Sequence, residues 1–133
     1  MLKPAPREDA EDAVESAVID GVLWITVHGP MTREVGDAVF VRQRALARAY
    51  QGSLRLLDLR AASLVEGTVS LIGRVKAVED DELLRNGHTA IVCAVRTNAY
   101  AFLESTANQH GHSLKVFTDG ARAMEWLQSR SPA

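Results

Sequence analysis

Two short apolar runs, Leu54-Arg-Leu-Leu-Asp-Leu59 and the core Ala-Ile-Val-Cys-Ala-Val of His88 to Val95, constrain this chain more than any other feature. Each is too short for a buried helix and too continuously apolar for a strand with one face in water. Both fit strands covered on two faces, as in a parallel sheet with helices above and below. Between them, from Thr68, the residues Leu71, Ile72, Val75 and Val78 give a helical apolar stripe. Strand, helix and strand in that order form a parallel unit with a right-handed crossover. The first strand then delivers Asp58 and Arg60 to its carboxyl end, where open α/β sheets hold ligands and partners.

The remaining segments extend this unit in both directions. Residues 1–12, with Pro4, Pro6 and alternating charges, read as a flexible leader. Val14 to Ile19 and Val22 to His28 are strands joined by Asp20-Gly21, a dipeptide suited to a turn with positive φ. Gly29-Pro30 is expected to stop the second strand, and Thr32 to cap a helix running from about Arg33 to Tyr50. That helix should bury Val35, Val39, Leu46 and Ala49, keep Arg42, Arg44 and Arg48 in water, and end at Gly52-Ser53. The acidic run Glu79-Asp80-Asp81-Glu82 reads as a solvated helix end. Thr97 or Asn98 caps a helix from Ala99 to His110 that Gly111 closes. Leu114 to Phe117 is a last short strand, and Asp119 caps a final helix through Leu127 with Met124 and Leu127 toward the sheet. The fold class is α/β, ordered ββαβαβαβα, with a mixed, mainly parallel sheet in one domain over residues 13–129 and a tail over 130–133.

Charge and composition remove several function classes. Fifteen basic against seventeen acidic side chains leave a formal charge of −2, too even a balance to draw the chain onto nucleic acid or acidic lipid. No secretory h-region and no long apolar span occur, so no membrane partner is expected. The single Cys93 has no internal disulfide partner, which suits a reducing compartment; a cytoplasmic location is expected. Neither Gly-x-Ser-x-Gly nor a Walker or dinucleotide glycine pattern is found, so the chain reads as no enzyme and no cofactor is expected.

The segments Asp20-Gly-Val-Leu-Trp-Ile-Thr-Val-His-Gly, Leu56-Leu-Asp-Leu-Arg60, Thr89-Ala-Ile-Val92 and Leu114-Lys-Val-Phe-Thr-Asp119, followed by Ala123-Met-Glu-Trp-Leu127, resemble the SpoIIAA-like proteins. These include STAS domains such as anti-sigma-factor antagonists. The last of the segments looks most like a group of uncharacterised bacterial members. The resemblance implies a non-catalytic, regulatory protein-interaction module with a protein partner as yet unidentified. In the antagonists a serine in Asp-Ser-Ser/Thr-Gly after the third strand is phosphorylated. Here an ungapped count from Asp58 sets Glu66 at the motif aspartate and Gly67 at the phosphoacceptor, and a register anchored on Gly73-Arg74 does not restore the motif. Thr68 and Ser70, with Ser63 nearby, are the candidate phosphoacceptors, while ordinary capping is the plainer role for Thr68.

The carboxyl ends of the parallel strands should present His28, Asp58, Arg60, Ser63, Glu66, Thr68, Arg96, Asn98, Thr118 and Asp119 along one rim. Two arginines near helix starts are suited to an anion, though surface pairing with Asp58 and Asp119 is the commoner outcome. His88, His110 and His112 precede strands at the opposite edge and lack a carboxylate fourth ligand, so no metal is expected. Cys93, mid-strand, is expected to be inert core. Trp24 and Trp126 are expected to supply core area; an apolar groove between helices is the alternative. A carrier or sensor of a small apolar, lipid-like or anionic molecule is therefore the competing reading. A homodimer through an edge strand or helix face is a further possibility.

Overall fold

A computed structural model describes residues 10–51, 53–65 and 67–130, except for the side chain of Thr68. Strands β1 (Val14–Ile19) and β2 (Val22–Met31) open the fold, followed by helix α1 (Arg33–Tyr50) and strand β3 (Leu54–Leu64). Helix α2 (Thr68–Glu79), β4 (His88–Cys93), α3 (Asn98–Gln109), β5 (Ser113–Phe117) and α4 (Gly120–Gln128) complete it. The five strands form one sheet in the order β1-β2-β3-β4-β5, with β1 antiparallel to β2 and all other pairs parallel. The α/β class and the element order are those expected from sequence.

Alternation along each strand sends side chains to two unequal layers. Ile25, Val27, Leu57, Leu59, Ile91, Cys93 and Val116 meet Val35 and Val39 of α1 and Tyr100 of α3 on one face. Val22, Leu54, Leu56, Ala90 and Val92 meet Ala123 and Leu127 of α4 on the other. This two-sided burial is why the β3 and β4 runs are continuously apolar. Ala10, placed by sequence in the leader, is buried in the first layer.

Local chemistry accounts for most boundaries. Asp20 and Gly21 both take positive φ, 50° and 79°, the requirement of a type I′ hairpin turn. Thr32 accepts from the Val35 N–H at 3.3 Å, and Asp119 accepts from Ala121 and Arg122 N–H at 2.8 and 3.4 Å, satisfying donors that a helix start leaves free. Gly111 adopts φ 84° after α3.

Several boundaries differ from expectation. Gly29-Pro30 does not stop β2: the register shifts between Thr26 and His28 and pairing with β3 resumes through Met31. A bulge re-aims the chain, and Pro30 lies near the strand's end. β3 correspondingly runs on to Leu64, so Arg60 and Ser63 lie on a strand rather than in a loop. α1 ends through Gln51 at φ 50°; Gly52 lies outside the described residues. Its buried stripe is Val35, Gly36, Val39, Gln43 and Ala47, and Ala49 is exposed. Ile72 of α2 also points outward. Asp81 is not simply solvated: it pairs with Arg44 of α1 and accepts from the Leu83 N–H at 2.9 Å.

Candidate functional site

The residues expected on the rim are brought near the carboxyl strand ends in separate groups. Asp58 accepts from Arg60 three times, from the backbone N–H at 3.2 Å, Nε at 2.9 Å and Nη2 at 2.7 Å. These bonds hold the Asp58 carboxyl below its ordinary value against the opposing effect of burial, with Trp24 adding a further bond. The same bonds raise Arg60, helped by Asp119. A Cβ at Gly120 would lie 3.5 Å from Arg60 Nη1, so the start of α4 rests against this group. One guanidinium therefore answers two carboxylates on the α4 side of the sheet.

The other rim residues stand apart from that group. Arg96 donates to Glu104 at 2.6 Å and to the Val116 carbonyl at 3.3 Å, while Glu104 accepts from the Val116 N–H at 2.6 Å. Burial pushes Glu104 upward, but Arg96 and Val116 outweigh it and its carboxyl ends below the ordinary value. His28 meets Glu15 at 3.3 Å on the outer strands. Ser63, Asn98, Thr118 and Asp119 are exposed, with Thr97 as the N-cap of α3. With Arg60 and Arg96 both held by carboxylates, the rim has the arrangement of paired surface charge rather than of a prepared anion site.

The phosphoacceptor region is only partly described. Gly67, not Thr68, is the N-cap of α2, and no side-chain bond caps the helix. Glu66 and the side chain of Thr68 lie outside the described residues, and Ser70 is exposed on the first turn. Exposed Val65, Val69 and Ile72 accompany it.

The three histidines at the other edge diverge. His88 bonds Ser113 at 2.7 Å, and burial, aided by Arg130 and Arg55, keeps its imidazole on the neutral side of its ordinary value. His110 pairs with Glu79 at 3.0 Å, whereas His112 turns to the interior. Among the described residues no cluster of three or more His, Cys, Asp or Glu side chains is placed to hold a metal ion. Cys93 is fully buried, and burial pushes its thiol up, as expected of an unreactive core cysteine.

A largely apolar concavity lies between the sheet and helices α1, α2 and α3. Its volume is about 110 Å³, and Val39, Leu57, Leu71, Val75, Ile91 and Leu114 form much of its apolar wall. Arg55, Gly87, Thr89 and His112 close it near the amino ends of β3, β4 and β5. Arg55 is 2% exposed and donates to the Leu84 carbonyl at 2.9 Å and to Thr89 Oγ1 at 3.1 and 3.3 Å. Burial lowers Arg55 to about 10, with Asp81 opposing, so the guanidinium is still charged at neutral pH. Arg55 Nη1 and His112 Nε2 are buried without a hydrogen-bond partner among the described residues. Buried polar atoms without partners are rare and costly, which sets these two residues apart.

On the opposite side, Arg74 of α2 covers the gap toward α1. It donates to Asp37 at 2.6 Å and to the Arg33 carbonyl at 2.9 Å. A Cβ at Gly36 would stand 2.6 Å from the Arg74 Cζ, so glycine admits the guanidinium here. Arg55 was not among the residues singled out in the sequence, and His112 was weighed there only as a metal ligand. The one available signal was a cation inside an otherwise leucine-rich strand expected to be buried on both faces.

No family model matches the chain, and no curated protein matches it. Among solved structures it is similar to the crystal structure of an uncharacterised DUF3478-family protein from Shewanella loihica PV-4 with a SpoIIAA-like fold. The likeness has a TM-score of 0.55 at 17% identity and covers 86% of this chain and 92% of that one. Together with the five-stranded sheet and its helices, it establishes that the chain has a SpoIIAA-like fold.

Proposed function

We propose that the protein is a non-catalytic, cytoplasmic SpoIIAA-like module that carries or senses a small molecule held between its sheet and helices α1, α2 and α3. The observation that supports this reading is a largely apolar cavity between the sheet and three helices, with Arg55, Thr89 and His112 among the residues that line it. A ligand would bury its body against leucine, valine and isoleucine side chains and turn any polar group toward the end lined by Arg55, Thr89 and His112. The volume, about 110 Å³, limits it to a compact molecule; an apolar cavity of roughly 150 Å³ admits benzene. No helix among the described residues is long and apolar enough to cross a membrane.

The test is thermal denaturation with a panel of compact alcohols, amides and carboxylates. A ligand of the folded state alone raises the midpoint with concentration, by about 2.7 kcal/mol of stability at a hundredfold excess over Kd. A panel with no dose-dependent member would refute the reading.

A second reading is favoured by the exposure of Val65, Val69 and Ile72, at 57%, 83% and 37%. These residues border the end of β3 and the start of α2, at the carboxyl strand end where the sequence led us to expect a partner. A regulatory contact there, with or without phosphate on Thr68 or Ser70, would be mediated by exposed apolar side chains rather than by Asp58 and Arg60. Crosslinking in the native host tests it: Val69→Glu with Ile72→Glu should lose the partner that wild type captures, and an unchanged set of crosslinks counts against this surface.

A further inference from the structure

We infer that the open edge of the sheet at β1 receives an extended, lysine-bearing segment of a partner protein as a further strand. The inference goes beyond the cavity function and does not depend on it.

The two edges of the sheet are finished differently. At β5 the Leu114 carbonyl accepts from Asn108 Nδ2 at 3.1 Å, the Val116 carbonyl accepts from Arg96 at 3.3 Å, and the Val116 N–H donates to Glu104 at 2.6 Å. Side chains thus occupy the backbone groups that another strand would need, which blocks this edge.

At β1 the outward groups follow from the ladder. The His28 N–H donates to the Ala13 carbonyl at 2.9 Å, one step beyond the Val14↔Val27 pair. Bonded and non-bonded pairs alternate between antiparallel strands. Glu15, Ala17 and Ile19 therefore bond to β2, and the N–H and C=O of Val14, Ser16 and Val18 turn outward. The turn at Asp20-Gly21 agrees, because a two-residue hairpin closes on the bonded pair Ile19↔Val22. No side chain or loop among the described residues bonds to these outward groups. Val18 and Ile19 lie beside them, 39% and 41% exposed. Such a row of free donors and acceptors is the template for strand addition.

Charge selects the occupant. Glu11 and Asp12 precede the strand, Glu15 lies within it and Asp20 follows it, all of them exposed. Glu15 meets only His28, and Glu11, Asp12 and Asp20 form no ion pair among the described residues. Arg42 of α1 donates to Ser16 Oγ at 2.8 Å, on the face of β1 opposite to Glu15, and shares a shallow concavity with Glu11, Glu34 and Asp37. The edge is acidic on balance and suits a basic strand. A second copy of this chain fits badly. Antiparallel self-pairing about Ser16 sets Asp12 against Asp20, and pairing about Glu15 sets two glutamates opposite each other. A segment with lysine opposite Glu15 and β-branched residues opposite Ala17 and Ile19 answers each position.

Amide NMR of the full chain, titrated with the acetylated and amidated peptide Lys-Val-Thr-Val-Thr-Lys-Val, tests this. Set antiparallel, its lysines face Asp20 and Glu15. The Ser16 and Val18 amides are expected to shift and saturate while that of Val116 stays in place, and the peptide with glutamate for both lysines should bind about tenfold more weakly. Val18→Pro removes an outward N–H that the β1–β2 ladder does not use, so it should keep the β3 and β4 amide shifts and abolish binding. No saturating shift at Ser16 and Val18 with the peptide in large excess would overturn the inference. Equal binding of the two peptides would overturn the lysine-bearing partner, and binding that survives Val18→Pro would overturn the edge as its site. Dimerisation of wild type through these same amides would overturn the partner in favour of a second copy. If Val18→Pro does not fold, Glu15→Lys, at a side chain 71% exposed, decides instead: it should narrow or reverse the preference between the peptides, and an unchanged preference would overturn the assignment.

Discussion

Replacing Arg55 by methionine should be nearly neutral for the stability of the ligand-free protein, although Arg55 is among its most buried residues. Holding the guanidinium charged when burial has lowered it to about 10 costs the folded state about 3 kcal/mol, at roughly 1.4 kcal/mol for each tenfold. Methionine removes that cost and refills most of the space with a flexible apolar chain. Against this, the Leu84 carbonyl and Thr89 Oγ1 lose their donor, a loss of about 1–3 kcal/mol for each group left buried and unsatisfied. The opposing effects are of similar size, and the net change is expected to lie within about 2 kcal/mol of zero. Arg55→Ala adds an unfilled space and should be worse by about 2–4 kcal/mol. Urea denaturation of the three proteins, with equal slopes, reads both differences. A loss above about 4 kcal/mol in the methionine variant would mean that Arg55 mainly ties down the turn at Leu84, and the reasoning from an unanswered charge would fail.

Three other perturbations follow from the same packing. Leu127 is fully buried on α4, which covers its face of the sheet, so Leu127→Ala should cost about 2–5 kcal/mol by chemical denaturation; a cost below about 1 kcal/mol would contradict the two-layer core. Gly87→Ala places a Cβ 2.6 Å from the Ser53 carbonyl as well as from Arg55, and should cost about 1–3 kcal/mol by chemical denaturation; an unchanged midpoint would contradict the close packing of Arg55 on this turn. Asp58 sits below its ordinary value of 3.8 and Glu104 below 4.5. Their contributions are complete above those values and disappear as pH falls through the lower folded ones. Stability measured by urea should therefore decline below about pH 4, and Asp58→Asn should flatten part of that decline while costing about 1 kcal/mol at neutral pH, since Arg60 is half exposed and its pairing is screened.

Much of the fold was legible in the sequence because its signals were local. The leucine run of β3 and the β-branched centre of β4 demanded two-sided cover, and Asp20-Gly21, Thr32, Asp119 and Gly111 have the turn and cap geometry that such residues favour. The misread boundaries arose where tertiary pairing overrode a local stop. Pro30 looked terminal, yet a bulge after Thr26 lets β2 continue alongside the extended end of β3. The site was less legible for a different reason. Arg60 and Arg96 were recognisable as cations at strand ends, but only coordinates reveal that Asp58 and Glu104 already hold them. Arg55 and His112 are 57 positions apart in the numbering, and their common cavity depends on the stacking of β3, β4 and β5 beneath three helices. A strand pattern alone does not tell whether a cation in a buried run is answered by a carboxylate, a hydroxyl or a ligand.

The central claim is that this cavity is a binding site, and methyl NMR of the intact protein titrated with compact branched alcohols, amides and carboxylates tests it most directly. The methyl signals of Leu57, Leu71, Ile91 and Leu114, which line the cavity, are expected to shift together and saturate at one site. The exposed methyls of Val41 and Val69 should stay in place. Movement confined to exposed methyls, or no movement with any of these compounds in large excess, would contradict the account.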